Sequence, residues 1–86
     1  MYNLHLLRPA ERELEAIPSI FRERVERAIL RLGEDPRPPG VKKLRGGIGW
    51  RIRIGDYRVV YEIDDRAREV TVAKVRHRKD AYRGDP

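Results

Sequence analysis

The chain has 86 residues, twenty Lys or Arg against fourteen Asp or Glu and a formal charge of +6, a length that supports one small domain and excludes a two-domain reading. Zero cysteines remove disulfides, thiol nucleophiles and thiolate metal sites together, and two histidines without a carboxylate cluster leave no expected metal site or cofactor. No apolar run approaches the ~18 residues of a membrane span and no signal-type segment opens the chain, so a cytoplasmic protein without membrane contact is expected.

Residues 2–7 alternate weakly through Tyr2, Leu4 and Leu6 and predict a first strand. Arg8 and Pro9 then open a helix with Ala10, Leu14 and Ile17 on one face, proline being tolerated at the first position. Pro18 ends it. A second helix is expected from Ser19 as N-cap, with Phe21, Val25, Ala28, Ile29 and Leu32 as the inward stripe and Gly33, Asp35 and Pro36 as the stop. Its outward face mixes Arg22, Glu23, Arg24, Glu26, Arg27 and Arg31 and reads as solvated surface. Residues 35–49, rich in Pro and Gly, form a loop with a short strand around 41–44.

From Trp50 the period changes to two. Trp50, Ile52 and Ile54 alternate with Arg51 and Arg53, Gly55 and Asp56 supply a two-residue turn, and Tyr57, Val59, Tyr61 and Ile63 alternate with Arg58, Val60 and Glu62. A turn at Gly55 and Asp56 sets Ile54 opposite Tyr57, Arg53 opposite Arg58, Ile52 opposite Val59, Arg51 opposite Val60 and Trp50 opposite Tyr61. One side of the hairpin is then apolar throughout and packs under the helices, with Trp50, Tyr57 and Tyr61 as core. The other side gathers Arg51, Arg53 and Arg58. After a turn near 64–67, Val70, Val72, Ala73 and Val75 form a last strand whose apolar residues fall on both faces, as expected for a central position. The expected fold is α+β: an N-terminal strand and a two-helix hairpin packed on one face of a small, mostly antiparallel twisted sheet.

The charge is segregated. Residues 1–36 sum to −1 and the remainder to +7, with sixteen of the twenty bases being Arg. Lys42, Lys43 and Arg45 ride on the loop, and Arg76, Arg78, Lys79 and Arg83 cluster at the end beside His77 and Tyr82. One-sided charge repels itself and persists where it meets a polyanion, and the planar guanidinium fork suits phosphate. Like charges at a cross-strand pair also weaken a sheet, so the facing Arg53 and Arg58 point to an anion site. RNA carries its own nucleophile, the 2′-hydroxyl, and a protein that cleaves it needs to orient the backbone, move protons and stabilise charge on the phosphate. Arg51, Arg53, Arg58 and Arg78 are candidates for clamping that phosphate. His77 is the nearby group that titrates close to neutrality, and Tyr82 is a candidate orienter. His5, on the first strand, reads as structural.

Taken together, the short strand, two helices, the Lys43, Leu44, Arg45, Gly46 loop, the hairpin with Tyr57, Arg58, Val59, Val60 and Tyr61, and the tail with His77, Arg78, Asp80 and Tyr82 resemble the RelE/ParE superfamily of toxins, RelE branch. The resemblance spans nearly the whole chain. It implies a RelE-like fold and a metal-independent endoribonuclease, an mRNA interferase that cuts mRNA in the ribosomal A site against ribosomal RNA and is silenced by a cognate RelB-like antitoxin. It further implies catalytic roles for Arg51 and Arg53 at paired basic positions, Arg58 on the phosphate, Arg78 in charge stabilisation or leaving-group protonation, and Tyr82 in stacking on a nucleotide. RelE proper carries lysines where this chain has Arg51 and Arg53, and some relatives use a tail histidine, which adds His77. Lys42, Lys43, Arg45, Arg76, Lys79 and Arg83 are the expected RNA-binding set. Two other readings stand beside this one: a ParE-like poison of DNA gyrase without nuclease activity, and a basic RNA-binding module without chemistry.

Overall fold

The computed structural model describes residues 1–46 and 49–81. Strand β1 (Asn3–Leu6) leads into helix α1 (Arg8–Glu15) and helix α2 (Ser19–Glu34); β2 (Lys42–Lys43), β3 (Trp50–Ile54), β4 (Tyr57–Asp64) and β5 (Glu69–His77) follow, and a single turn of helix, α3 (Arg78–Ala81), closes the described chain. The five strands form one sheet in the order β1-β5-β4-β3-β2. Only β1 and β5 run parallel. The crossover between them carries both helices, which therefore lie on one face, and the expected α+β architecture is the one observed.

The hairpin register is the one the alternation predicts: Trp50 pairs with Tyr61, Arg51 with Val60, Ile52 with Val59, Arg53 with Arg58 and Ile54 with Tyr57. Gly55 at φ +60° makes the tight turn possible, because a side chain is rarely accommodated there. Strand β5 is flanked by β4 along its length but by β1 only over Glu69–Val72, so it is interior for about half its length, and its apolar pattern has another cause. Val60 pairs with Lys74 and Tyr61 with Val72, so Ala73 is an extra residue in a bulge. The bulge resets the alternation, and Val70, Val72 and Val75 all turn toward the helices, where at most 3% of each is exposed. The apolar residues of β5 that seem to occupy two faces mostly occupy one.

That face packs on Ala10, Ile17, Val25, Ile29 and Leu32, with Val59 and Tyr61 fully buried beneath them. The Tyr61 hydroxyl donates to the Pro36 carbonyl at 2.6 Å, tying the sheet centre to the loop after α2. Trp50 and Tyr57 are half-buried at the margins of the same core.

Three details of the helices differ from expectation. Ser19 is the first helical residue, and Pro18 is the N-cap: its extended ψ of 139° aims its carbonyl at the amides of Phe21 and Arg22, so the helix begins without a side-chain cap. Gly33 lies inside α2, which continues to Glu34. Its lack of a side chain serves packing, since a Cβ there would stand 3.2 Å from the Tyr2 carbonyl, whose own amide bonds to the Gly33 carbonyl at 2.7 Å. Phe21 leaves the inward stripe and is 50% exposed, its ring meeting Tyr57 at 6.3 Å near the end of the hairpin.

Among the described residues no helix is long and apolar enough to cross a membrane.

Candidate functional site

Alternation sends the even-numbered residues of β4 to the sheet face that no helix covers, and the antiparallel register carries that choice to its neighbours. Arg58 therefore shares a row with Arg53 on β3 and with Arg76 on β5. Strands stand about 4.8 Å apart, so the three Cα atoms of this row span roughly 10 Å, the scale of one nucleotide step and its phosphates. The next row holds Lys42, Arg51, Val60 and Lys74. Gly40, Lys42, Arg51 and Arg53 line a shallow cavity of about 140 Å³ in this surface. Among the described residues neither Arg53 nor Arg58 takes part in an ion pair.

The same face changes sign along its length. Beyond the bulge the pairs are Glu62 with Thr71 and Asp64 with Glu69, and His5 on β1 meets Glu69 at 3.0 Å. Cations fill the end near the hairpin turn and carboxylates the opposite end. Acidic neighbours four residues away in sequence thus stay clear of Arg53 and Arg58, because strand rise places them more than 10 Å along the sheet.

Arg76, placed among the RNA-binding residues by the sequence, is the third member of the central row. Its Nε lies 2.6 Å from Glu13 Oε2, and the other oxygen of Glu13 accepts the Val75 amide at 2.9 Å. No sequence pattern marks Glu13; the signal lies in the tertiary packing of α1 on β5.

His77 is not brought to that face. It pairs with Tyr57 on the helix-covered side, its ring set edge-on to the tyrosine ring at 5.2 Å. Its Nδ1 accepts the Lys79 amide at 3.2 Å, so the imidazole is tied into the first turn of α3. Phe21, Arg24, Ile54, Tyr57 and His77 border a cavity of about 190 Å³ there, separate from the arginine row. Arg78 stands at the hairpin turn: its amide donates to the Asp56 carbonyl at 2.7 Å, and its guanidinium is 3.7 Å from the Asp56 carboxylate.

The remaining cations disperse. Lys43 points to the helix side with its Nζ 5.8 Å from the centre of the Trp50 ring, which Arg37 also covers at 5.1 Å. Arg45 and Lys79 are exposed, on the loop and on α3. Tyr82 and Arg83 lie outside the described residues. Among the described residues no three His, Asp or Glu side chains stand close enough to hold a metal ion.

Electrostatics are most perturbed at the acidic margin, away from the arginine row. Asp65 is held below the usual carboxylate range by hydrogen bonds from the Arg37 guanidinium, at 2.9 and 3.3 Å, and from the Tyr2 hydroxyl, at 2.6 Å. The Tyr2 phenol and the Arg37 guanidinium are correspondingly raised. Burial pushes the Tyr61 phenol up to about 12.

A helix-backed sheet with an arginine row on its free face defines a small basic α+β domain, and the comparisons identify its class. The family model of the ParE toxin of type II toxin-antitoxin system, parDE, matches residues 4–82, and the chain belongs to this family, within the RelE/ParE superfamily. It is 35% identical over 85 residues to Toxin RelG of Mycobacterium tuberculosis, covering 95% of this chain and 97% of the relative. Its structure is similar to the toxin in the archaeal RelE-RelB complex from Pyrococcus horikoshii, with TM-score 0.80 and 26% identity over 90% of this chain and 94% of the other. The toxin-antitoxin complex RelBE2 from M. tuberculosis gives TM-score 0.79 and 28% identity over 88% and 96%.

Proposed function

We propose that this toxin is a ribosome-dependent mRNA endoribonuclease whose substrate backbone lies across the uncovered sheet face. The row of Arg53, Arg58 and Arg76 on three adjacent strands carries the reading. Arg51 flanks it. These cations hold the scissile phosphate in line with the 2′-hydroxyl of the preceding nucleotide and stabilise the charge that builds on the non-bridging oxygens. The 2′-oxygen forms a bond to phosphorus as the bond to the 5′-oxygen breaks, giving a 2′,3′-cyclic phosphate and a 5′-hydroxyl. The 2′-hydroxyl loses one proton and the leaving oxygen gains one.

A guanidinium stays protonated in this pH range and cannot take that proton. With no imidazole beside the row among the described residues, proton transfer is assigned to water. Orientation and charge stabilisation supply the acceleration. His77 and Arg78 then act at the margin, organising the turn of α3 that leads to Tyr82, to which we assign nucleotide stacking. Lys42, Lys43, Arg45, Lys79 and Arg83 contribute the sequence-independent attraction to RNA.

The partner is a cognate antitoxin. Two similar toxins are solved in complex with theirs, and the basic end of the open face suits an acidic amphipathic segment that orders on binding.

Mapping mRNA 5′ ends on programmed ribosomes tests the reading. Cleavage at A-site codons is expected with the wild type, reduced on the order of 10²–10³-fold by Arg58→Ala or Arg76→Ala and within a few-fold of wild type in His77→Gln. Intact mRNA with the wild type would remove the assignment. The ParE family match supports one other reading, gyrase inhibition without nuclease activity, and gyrase-linked DNA breaks accompanied by intact mRNA would identify it.

A further inference from the structure

Helix α2 shows solvent a face on which the sequence mixes both charges, and the helix geometry separates them. Arg24, Arg27 and Arg31 follow one another at intervals of three and four residues, which sets them on one side of the helix along about 10 Å of its axis. Glu23 and Glu26 lie about 100° and 160° round the helix from Arg24. Among the described residues none of the three arginines takes part in an ion pair, although Glu23 stands one turn before Arg27.

The stripe borders a groove. Arg24, Arg27, Ala28 and Arg31 line it from α2 and Ile54 from β3, around a cavity of about 400 Å³, and all three arginines are exposed. Strand β2 accompanies β3 only at Trp50 and Arg51, so beyond Arg51 that edge of β3 carries no strand among the described residues. Arg24 reaches the hairpin turn, where a Cβ on Gly55 would stand 3.7 Å from its Nη1. Ile54 faces this groove, whereas its neighbour Arg53 alternates to the open side of the sheet, opposite Arg58. One strand edge therefore separates two basic surfaces.

Three guanidiniums gathered without a carboxylate partner repel one another and suit an anion, and a stripe of this length is on the scale of successive phosphates along one strand. A helical peptide fits the groove less well. Ala28 and Ile54 are the apolar side chains of the lining, whereas an amphipathic helix seats a run of apolar anchors over two turns.

We propose that the α2 groove is a second RNA-binding surface, in which Arg24, Arg27 and Arg31 hold the backbone of an RNA segment other than the strand on the open face. The ribosomal identity of that segment rests on the endoribonuclease reading above; the binding itself does not. The toxin is then held between mRNA on the open face and structural RNA against α2. Phosphate contacts of this kind add affinity and orientation without reading bases.

The test compares full-length wild type, the triple variant Arg24→Ala, Arg27→Ala, Arg31→Ala, and a control with the same charge loss, Arg8→Ala, Arg12→Ala, Arg66→Ala, whose exposed side chains lie off the groove. Alanine suits a helix interior, so a urea midpoint near wild type is expected for the α2 variant. Affinity is measured for ribosomes programmed with mRNA carrying a 2′-deoxy nucleotide at the scissile position, from about 50 to 200 mM KCl. The α2 variant is expected to bind on the order of 10- to 100-fold more weakly, with a slope of log affinity against log salt smaller by about 2–3, and the control within a few-fold of wild type. Unchanged affinity and slope in the α2 variant, or an equal loss in the control, would overturn the proposal.

A second arm needs no cleavage. An uncleavable 2′-O-methyl RNA of about eight nucleotides is titrated calorimetrically at low salt. Two molecules per wild-type chain are expected, one after the α2 substitutions, and one after Arg53→Ala with Arg58→Ala. If wild-type protein leaves mRNA intact on ribosomes, the endoribonuclease reading fails while this count still decides the groove, and a single RNA per wild-type chain overturns it. A helical peptide of Glu and Leu that binds wild type and not the α2 variant, with the RNA count unchanged, would give the groove to a protein partner and overturn the RNA assignment.

Discussion

Arg53 and Arg58 are direct cross-strand partners on the uncovered face of the sheet, and among the described residues neither takes part in an ion pair. A facing pair of like charges works against the hairpin that displays it, by about 0.2–1 kcal/mol. Arg53→Glu is therefore expected to raise stability by that amount, read as a higher urea midpoint with an unchanged slope, and to abolish RNA cleavage. A variant that is less stable and still active would contradict both halves of the argument.

The buried phenol of Tyr61 gives a stability handle unconnected to RNA. Tyr61→Phe leaves the Pro36 carbonyl without its donor and is expected to cost about 1–3 kcal/mol at neutral pH. Burial holds the folded phenol at about 12, whereas the unfolded one titrates near its ordinary 10. The unfolded state thus loses its proton first as pH rises. The contribution is complete below pH 10 and disappears as pH climbs from 10 toward 12, at about 1.4 kcal/mol per unit. Denaturation curves of wild type and Tyr61→Phe should therefore converge across that window and run parallel below it.

Asp65 joins three segments: the turn after β4, Arg37 in the loop, and Tyr2 before β1. Its lowered carboxyl, caused first by the hydrogen bond from Arg37, makes the tie present above the usual carboxylate value of 3.8 and lost as pH falls through the lower folded value. Arg37 also covers Trp50, the single tryptophan, so the release is visible. Trp50 fluorescence is expected to change below pH 3.8 in the wild type, while in Asp65→Asn that transition is absent and the starting signal already resembles the released form.

Gly49 precedes β3 at φ +134°, and a Cβ there would stand 3.0 Å from the Tyr61 carbonyl. Both the backbone angle and the contact oppose a side chain. Gly49→Ala should destabilise by about 1–3 kcal/mol, whereas Gly40→Ala, at φ +89° with nothing within 4 Å, should cost less. Equal losses would mean that the angle alone governs both positions.

The hairpin was legible residue by residue because a period of two, bounded by Gly55 and Asp56, admits one register. The same alternation put Arg51, Arg53 and Arg58 on a shared face, and the resemblance named the family to which the chain belongs. The rest of the site was not legible at that level. One inserted residue, Ala73, resets which side of β5 each side chain takes, and with it sends His77 toward Tyr57 and Arg76 toward Arg58. Counting along a strand cannot reveal a bulge whose cause lies in its partner. Glu13 was invisible for a related reason: it is sixty-two residues from Val75 in sequence, and a helix standing in for a missing strand leaves no periodic trace. Local spacing determined the hairpin, the helices and the excess of positive charge, since those follow from nearest-neighbour geometry. Only the assembled sheet decided which cations stand together and which carboxylate lies beside one of them, because those depend on how strands far apart in the chain come into register.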